Sequence, residues 1–262
     1  IPALGALAQE RGIGLHVDGC LGGWILPWGE KLGYEIPPWD FRVPGVTSIS
    51  ADTHKYGYGF KGTSVLVYRS KDLRRHQYFT APDWPGGLYL SPGFAGSRSG
   101  GLIASTWAAM VTLGEQGYLD AARGVFATAA AIRDGIRERM PALEVIGQPT
   151  FNVAFRSDEV DVYLVNDELK RRGWRFNSLH LPPALHFCVT RPNTQPGVVE
   201  ALLDDLEAAV AYAQEHHGQA AQSGAVYGLG AMPGGSGTLS QLMGGIIDAM
   251  YEPAPETGPA AG

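Results

Sequence analysis

Asp52-Thr53-His54-Lys55-Tyr56, followed by Gly57-Tyr58-Gly59-Phe60-Lys61-Gly62, separates two short apolar runs, Val46-Thr47-Ser48-Ile49-Ser50 and Thr63-Ser64-Val65-Leu66-Val67-Tyr68. Both runs read as buried strands, because they are rich in β-branched residues and bounded by turn residues. Lys55 therefore stands at a strand end, beside a histidine and a glycine-rich turn. A lysine so placed is a working amine rather than a solvated charge on a helix face. The chemistry such an amine offers is a Schiff base with an aldehyde cofactor.

Upstream, Gly14-Leu15-His16-Val17-Asp18 is an apolar run that closes on an acid. A helix over 2–11 leads into it as a strand over 13–18, and a loop rich in Gly, Pro and Trp (Gly19 to Phe41) leads on to the strands near 46–50 and 63–68. Strands without internal polar alternation, joined through helices and loops, predict an α/β domain with a mostly parallel, buried sheet. Ligands bind such sheets beyond the carboxyl ends of the strands, where Asp18 stands. A carboxylate there is costly to bury without a cationic partner. A helix cap or an arginine would satisfy it. So would a protonated pyridine nitrogen, which the acid keeps charged so that the ring can accept electrons from a developing carbanion. Lys55, further along the same sheet, favours the pyridine. Lys55 must be neutral to attack an aldehyde, and a desolvated site near the positive charge of Lys61 would lower its pKa.

The neighbouring residues leave alternatives open. His54 can donate to a cofactor phosphate or pack within the turn. Lys61, after the turn through Gly57 and Gly59, projects back towards an anionic substrate or out into solvent. Gly96-Ser97 offers backbone N–H groups and a hydroxyl, a small anion cradle. Cys20 is two residues past Asp18 and can lie against one cofactor face; no separate base marks it as a nucleophile. His16 shares a strand face with Asp18, which suits a core or supporting place. The seven histidines show no HExxH or paired spacing, so no metal site is expected.

The chain has 262 residues, 45% hydrophobic and 18% charged, enough for one large or two smaller domains with real cores. A net charge of −6 without basic clusters argues against nucleic acid as a partner. No apolar run reaches the roughly 18 residues of a membrane span. Cys20 and Cys188 lie far apart, which fits a reducing, cytoplasmic setting. A membrane association through an upstream segment stays open. The start at Ile1, on a helix with no strand before it, reads as a cut within a domain, and so as the C-terminal part of a longer polypeptide.

Residues 80–101 read as loop. Helices follow over 102–117 and 119–140, the second ended by Pro141. Strands at 143–147, 151–156, 174–178 and 185–190, with helices at 160–172 and 196–216, suggest a small α+β domain. The expected division is 1–118, 119–217 and a C-terminal extension over 218–262. Within the extension, 217–237 reads as a surface connection and Pro253 to Gly262 as disordered. Leu239, Leu242, Met243, Ile246, Ile247 and Met250 form the apolar stripe of an amphipathic helix, which would dock on its own core or on a neighbouring subunit.

Together these residues resemble the fold-type I pyridoxal-phosphate enzymes, in the group II decarboxylase-like branch, and within it the sphingosine-1-phosphate lyase family. The resemblance rests on His16-Val17-Asp18-Gly19-Cys20-Leu21-Gly22-Gly23, Ser50-Ala51-Asp52-Thr53-His54-Lys55-Tyr56-Gly57, Lys61-Gly62-Thr63, Asp83-Trp84-Pro85-Gly86-Gly87-Leu88-Tyr89, Ala95-Gly96-Ser97-Arg98 and Val226-Tyr227-Gly228. The runs after Asp18 and before Arg98 set it apart from the amino-acid decarboxylases, which remain the alternative reaction class. A truncated chain that keeps the fold only as an oligomerisation partner is the non-catalytic alternative.

The resemblance implies the C-terminal part of a fold-type I large domain followed by a small α+β domain. It implies pyridoxal 5'-phosphate as cofactor, a phosphorylated sphingoid base as substrate and a homodimer. Lys55 would carry the cofactor and Asp18 would pair with its pyridine nitrogen. His54 would help hold the phosphate, and Gly96 and Ser97 would reach the phosphate of a cofactor bound mainly by the partner subunit. Lys61 would lie near the reacting substrate. Ser99 departs from the family, which commonly has proline there, and several of the family's cofactor and substrate residues would lie upstream of Ile1.

Overall fold

The first unit builds a small sheet whose strand ends carry the candidate residues. A computed structural model gives the fold and describes residues 1–224 and 235–252. The expectations for Val226-Tyr227-Gly228, for Pro253 to Gly262 and for residues 225–234 of the 217–237 connection lie outside those residues. The chain divides into two compact units, Ile1–Phe126 and Ala127–Gly262.

The first unit holds α1 (Pro2–Arg11), β1 (Leu15–Asp18), α2 (Leu26–Lys31), β2 (Val46–Ala51), β3 (Val65–Tyr68), α3 (Lys71–Arg75), β4 (Phe79–Ala81), β5 (Tyr89–Ser91) and the beginning of α4 (Gly100–Arg139). β1 pairs in parallel with β2. The register shifts between Leu15 and His16, where the Thr47 hydroxyl accepts from the Leu15 N–H and donates to the Leu15 carbonyl, both at 3.0 Å. Val17, Val43, Val46 and Ile49 form the buried core beneath, with Leu15, Trp39 and Phe41 packed against it. Arg69 fixes the loop that feeds β2: its guanidinium donates to the carbonyls of Val46 (2.6 Å), Val43 (2.6 Å) and Phe41 (3.1 Å).

Several details depart from expectation. β3 runs antiparallel to β2, so the described sheet is not mostly parallel. The connection from β2 to β3 contains no helix, and a parallel return needs a longer crossover. Val65, Leu66 and Val67 are exposed rather than buried, because β3 is the edge of this three-stranded sheet. The stretch read as loop over 80–101 contains part of the hairpin β4–β5, in which Phe79 and Tyr89 meet at 5.8 Å between ring centres. Strands of three residues are too short to show alternation. The two helices expected over 102–140 form α4, interrupted by non-helical backbone at Gly114 (φ 57°, ψ −174°).

The second unit holds the remainder of α4, then β6 (Glu144–Val145), β7 (Asn152–Arg156), α5 (Val162–Arg171), β8 (Asn177–His180), β9 (Pro183–Cys188), α6 (Val198–Glu215) and α7 (Gly235–Tyr251). Its sheet is antiparallel in the order β6-β7-β9-β8. Phe155, Leu169, Leu185, Leu202 and Leu206 are fully buried in it. β8 begins later than expected because the Trp174 indole donates to Asp205 at 2.7 Å instead of joining a strand. β9 ends earlier because Thr190 and Asn193 form a capping box that starts a 3-10 turn. On α7, Leu242, Met243, Ile246, Ile247 and Met250 are exposed. Among the described residues no helix is long and apolar enough to cross a membrane.

Helix α1 reaches the sheet through a close approach at Gly45: a Cβ there would lie 2.0 Å from the Gly5 carbonyl oxygen. Backbone cannot rotate away as a side chain can. Gly45→Ala should therefore destabilise the chain by at least about 2 kcal/mol, read as a lower midpoint in chemical denaturation. An unchanged midpoint would show that α1 is not seated as described.

Candidate active site

The β1–β2 register sets His16 opposite Ser48 and Asp18 opposite Ser50. Alternation sends Val17 and Ile49 into the core and puts these four polar residues on the other face. Asp18 is exposed rather than buried. Its Oδ1 accepts from the Cys20 N–H at 3.0 Å and from the Ser50 hydroxyl at 3.1 Å. The bonds from Cys20, then that from Ser50, hold the Asp18 carboxyl below the usual carboxylate range. Among the described residues no partner is recorded for Oδ2.

Cys20 also reaches the lysine turn. Its carbonyl accepts from the Asp52 N–H at 3.2 Å. Its side chain is the leading partner of the Lys55 ammonium. Lys55 Nζ in turn lies 2.9 Å from Asp52 Oδ2. Cys20 and then Asp52 raise the Lys55 pKa. The expected depression by Lys61 is thus reversed: the groups touching the amine are a thiol and a carboxylate, not a second cation. Lys61 itself is exposed, and among the described residues no ion pair or hydrogen bond holds it.

The turn is held from below. The Thr53 side chain is buried and its hydroxyl meets the hydroxyl and the carbonyl of Thr63, while the Thr63 hydroxyl lies 2.9 Å from that of Thr106 on α4. The Gly59 N–H donates to the Thr53 carbonyl at 2.9 Å. Gly57 has no room for a side chain, since a Cβ would stand 2.5 Å from the Thr53 carbonyl oxygen. Tyr58 adopts φ 59°, a region sparsely occupied by residues with a side chain. Tyr118 closes the underside: its hydroxyl donates to the Gly57 carbonyl at 2.8 Å and its ring stacks on Trp28 at 5.3 Å.

His54 packs within the turn. Its Nδ1 lies 3.1 Å from the Thr63 carbonyl, which can only accept, so Nδ1 carries the proton. Nε2 is 3.8 Å from Asp52 Oδ2. His16, expected in a core or supporting place, is exposed and bonded to Ser48 and Ser50. The structure thus brings Asp18, Cys20, His54 and Lys55 together. Gly96 and Ser97 lie in a separate exposed loop, where Arg98 donates to the Gly96 carbonyl at 3.1 Å. Three contributors escaped the sequence reading. Asp52 could have been found from its i, i+3 spacing to Lys55, and Ser50 from the strand register opposite Asp18. Tyr118 left no local signal.

The fold is shared with solved enzymes. A glutamate decarboxylase of Lactobacillus brevis is 20% identical, with a TM-score of 0.65 over 82% of this chain and 52% of that one. The chain carries the fold of the fold-type I pyridoxal-phosphate enzymes. Within that class it is similar to sphingosine-1-phosphate lyases. The Burkholderia pseudomallei sphingosine-1-phosphate lyase structure is 51% identical, with a TM-score of 0.85 over 97% of this chain and 53% of that one. The Dictyostelium discoideum sphingosine-1-phosphate lyase is 41% identical over 256 residues, covering 97% of this chain and 48% of that protein. The chain spans about half the length of the curated relatives it matches. No family model matches it.

The Asp52–Lys55 pair makes a pH prediction that needs no cofactor. An anion beside an amine favours the ammonium, so removing the anion must lower the amine pKa. Asp52→Asn should move the pH profile of Lys55 acylation by an amine-selective reagent to lower pH, followed by peptide mass spectrometry. A profile identical to the parent would remove Asp52 as the partner that sets the charge of Lys55.

Proposed function

We propose that this chain supplies the lysine and the aspartate of a pyridoxal-phosphate-dependent carbon–carbon lyase, which cleaves a phosphorylated long-chain base such as sphingosine 1-phosphate into a long-chain aldehyde and phosphoethanolamine. The observation that carries the reading is the Cys20 junction, which fastens the Asp18 carboxylate to the Lys55 ammonium and, among the described residues, leaves Asp18 Oδ2 without a hydrogen bond. An ionised oxygen unpaired beside an amine suits a ring that presents an N–H at one end and an aldehyde at the other. The similarity to sphingosine-1-phosphate lyases supports the substrate class.

Pyridoxal phosphate, when bound, supplies an aldehyde that captures amines and a protonated ring that takes up electrons. Asp18 would accept from the ring N–H and keep it charged. Lys55 would have to give up a proton to act as a nucleophile, and Asp52 and Cys20 hold its Nζ as the ammonium. Whenever Lys55 is free and protonated, Asp52 would hold its ammonium at the turn. His54, its Nδ1 held by the Thr63 carbonyl, would have only its Nε2 edge to offer the cofactor phosphate. Lys61, unpaired in its turn, is this chain's candidate to contact the substrate phosphate or to take the hydroxyl proton that starts Cα–Cβ cleavage. Gly96 and Ser97, in a loop of their own, suit a phosphate held across a homodimer. Cys20, which forms no disulfide, is compatible with a cytoplasmic setting.

Lys55→Ala in the full-length protein should abolish the visible absorption band of the bound cofactor and the release of long-chain aldehyde, with the circular dichroism unchanged. A retained band would remove Lys55 from this role. Asp18→Asn should keep the cofactor while slowing turnover by about 100-fold or more; near-normal turnover would remove Asp18 as the group that keeps the ring charged.

A further inference from the structure

The polar face of β1 and β2 carries an ordered row of side chains. The Ser48 hydroxyl lies 2.8 Å from His16 Nδ1, His16 Nε2 lies 3.2 Å from the Ser50 hydroxyl, and the Ser50 hydroxyl lies 3.1 Å from Asp18 Oδ1. The direction of each bond follows from what the groups can do. A carboxylate only accepts, so Ser50 donates to Asp18. The Ser50 oxygen is then free to accept, and His16 Nε2 carries the proton that it receives. In the neutral imidazole Nδ1 is the acceptor, and the Ser48 hydroxyl supplies its hydrogen. The row thus runs in one sense, from Ser48 through His16 and Ser50 into Asp18. With the Cys20 N–H at 3.0 Å it occupies Oδ1 from two sides.

We propose that His16 and Ser50 are positioning residues that act through Asp18: they occupy Oδ1, aim Oδ2 at the cofactor's ring nitrogen and keep the shared proton on that nitrogen. This rests on the proposed function above. The physical reason is a competition for one proton. A proton between a pyridine nitrogen and a carboxylate settles on whichever is the stronger base in that site. Each donor to Oδ1 stabilises the carboxylate anion and so weakens it as a base. The lowered Asp18 pKa, to which Ser50 contributes, agrees with that direction. His16 polarises the Ser50 hydroxyl and fixes its rotamer, which leaves the hydroxyl no orientation but the one towards Asp18. Removing either residue should let the proton drift from the ring to the carboxyl, and the ring becomes a poorer acceptor of electrons.

The test uses the full-length protein loaded with pyridoxal phosphate labelled with nitrogen-15 in the ring. The nitrogen chemical shift separates protonated from unprotonated rings. Ser50→Ala and His16→Leu should keep full cofactor occupancy and move the signal towards the unprotonated position. kcat should fall about tenfold, the effect of losing one hydrogen bond to a charged group, while KM stays within about twofold of the parent, since substrate contacts are untouched. Ser50→Thr and His16→Gln, which retain a hydroxyl and a donor, should restore the signal. Asp18→Asn serves as the reference. If Asp18→Asn leaves the ring signal unchanged, the pairing of Asp18 with the ring fails. If Asp18→Asn moves the signal but Ser50→Ala and His16→Leu do not, the role of His16 and Ser50 fails alone. Loss of cofactor from Ser50→Ala and His16→Leu with the ring signal of the remaining holoenzyme unmoved would likewise overturn it in favour of a structural role.

Discussion

Cys20 fastens the end of β1 to the lysine turn with three different groups. Its N–H donates to Asp18, its carbonyl accepts from Asp52, and its side chain meets the Lys55 ammonium. A backbone pair and one small side chain therefore fix the relative placement of an acid and an amine that lie far apart in sequence. Everything else in the first unit keeps those two strand ends still. The valine and isoleucine core lies beneath β1 and β2, and Arg69 holds the carbonyls that lead into β2.

The charges of this junction describe a resting state. Lys55 is held as an ammonium by a thiol and a carboxylate, and Asp18 is held as an anion by donors on one oxygen. Lys55 is thus stored in the form opposite to the one attack requires, whereas Asp18 is already the anion that a ring N–H would need. A nucleophilic amine must shed its proton, so Asp52 raises the barrier to first capture and lowers the cost of release. That trade suits the proposed role, in which the lysine lets go of its partner each time a substrate amine arrives. The strained backbone at Tyr58 and the stacked rings of Tyr118 and Trp28 support the turn from outside the reacting groups.

Much of this was legible in the residues. Helix α1, strands β1 and β2 and helices α5 and α6 fall within about two residues of the ranges read from apolar runs and their turn residues. The lysine turn was recognisable because its polar residues sit between two strands. Less legible was anything decided by tertiary contact. β3 has the composition of a buried strand yet lies exposed at an edge, because composition does not tell how a neighbour will cover it. The direction of the Lys55 shift was misread because sequence proximity suggested Lys61, whereas the chain folds Cys20 and Asp52 against the amine. Tyr118 supports a carbonyl 61 residues away, and no local pattern could have announced it.

The pairing of Lys55 with a cofactor aldehyde is the claim on which the chemistry stands. Borohydride reduction of the full-length, cofactor-loaded protein, followed by peptide mass spectrometry, locates the attached amine directly. The pyridoxyl group should be found on Lys55 alone. Its attachment to Lys61, or its absence from the peptide that holds the Asp52 to Tyr56 turn, would contradict the site described here.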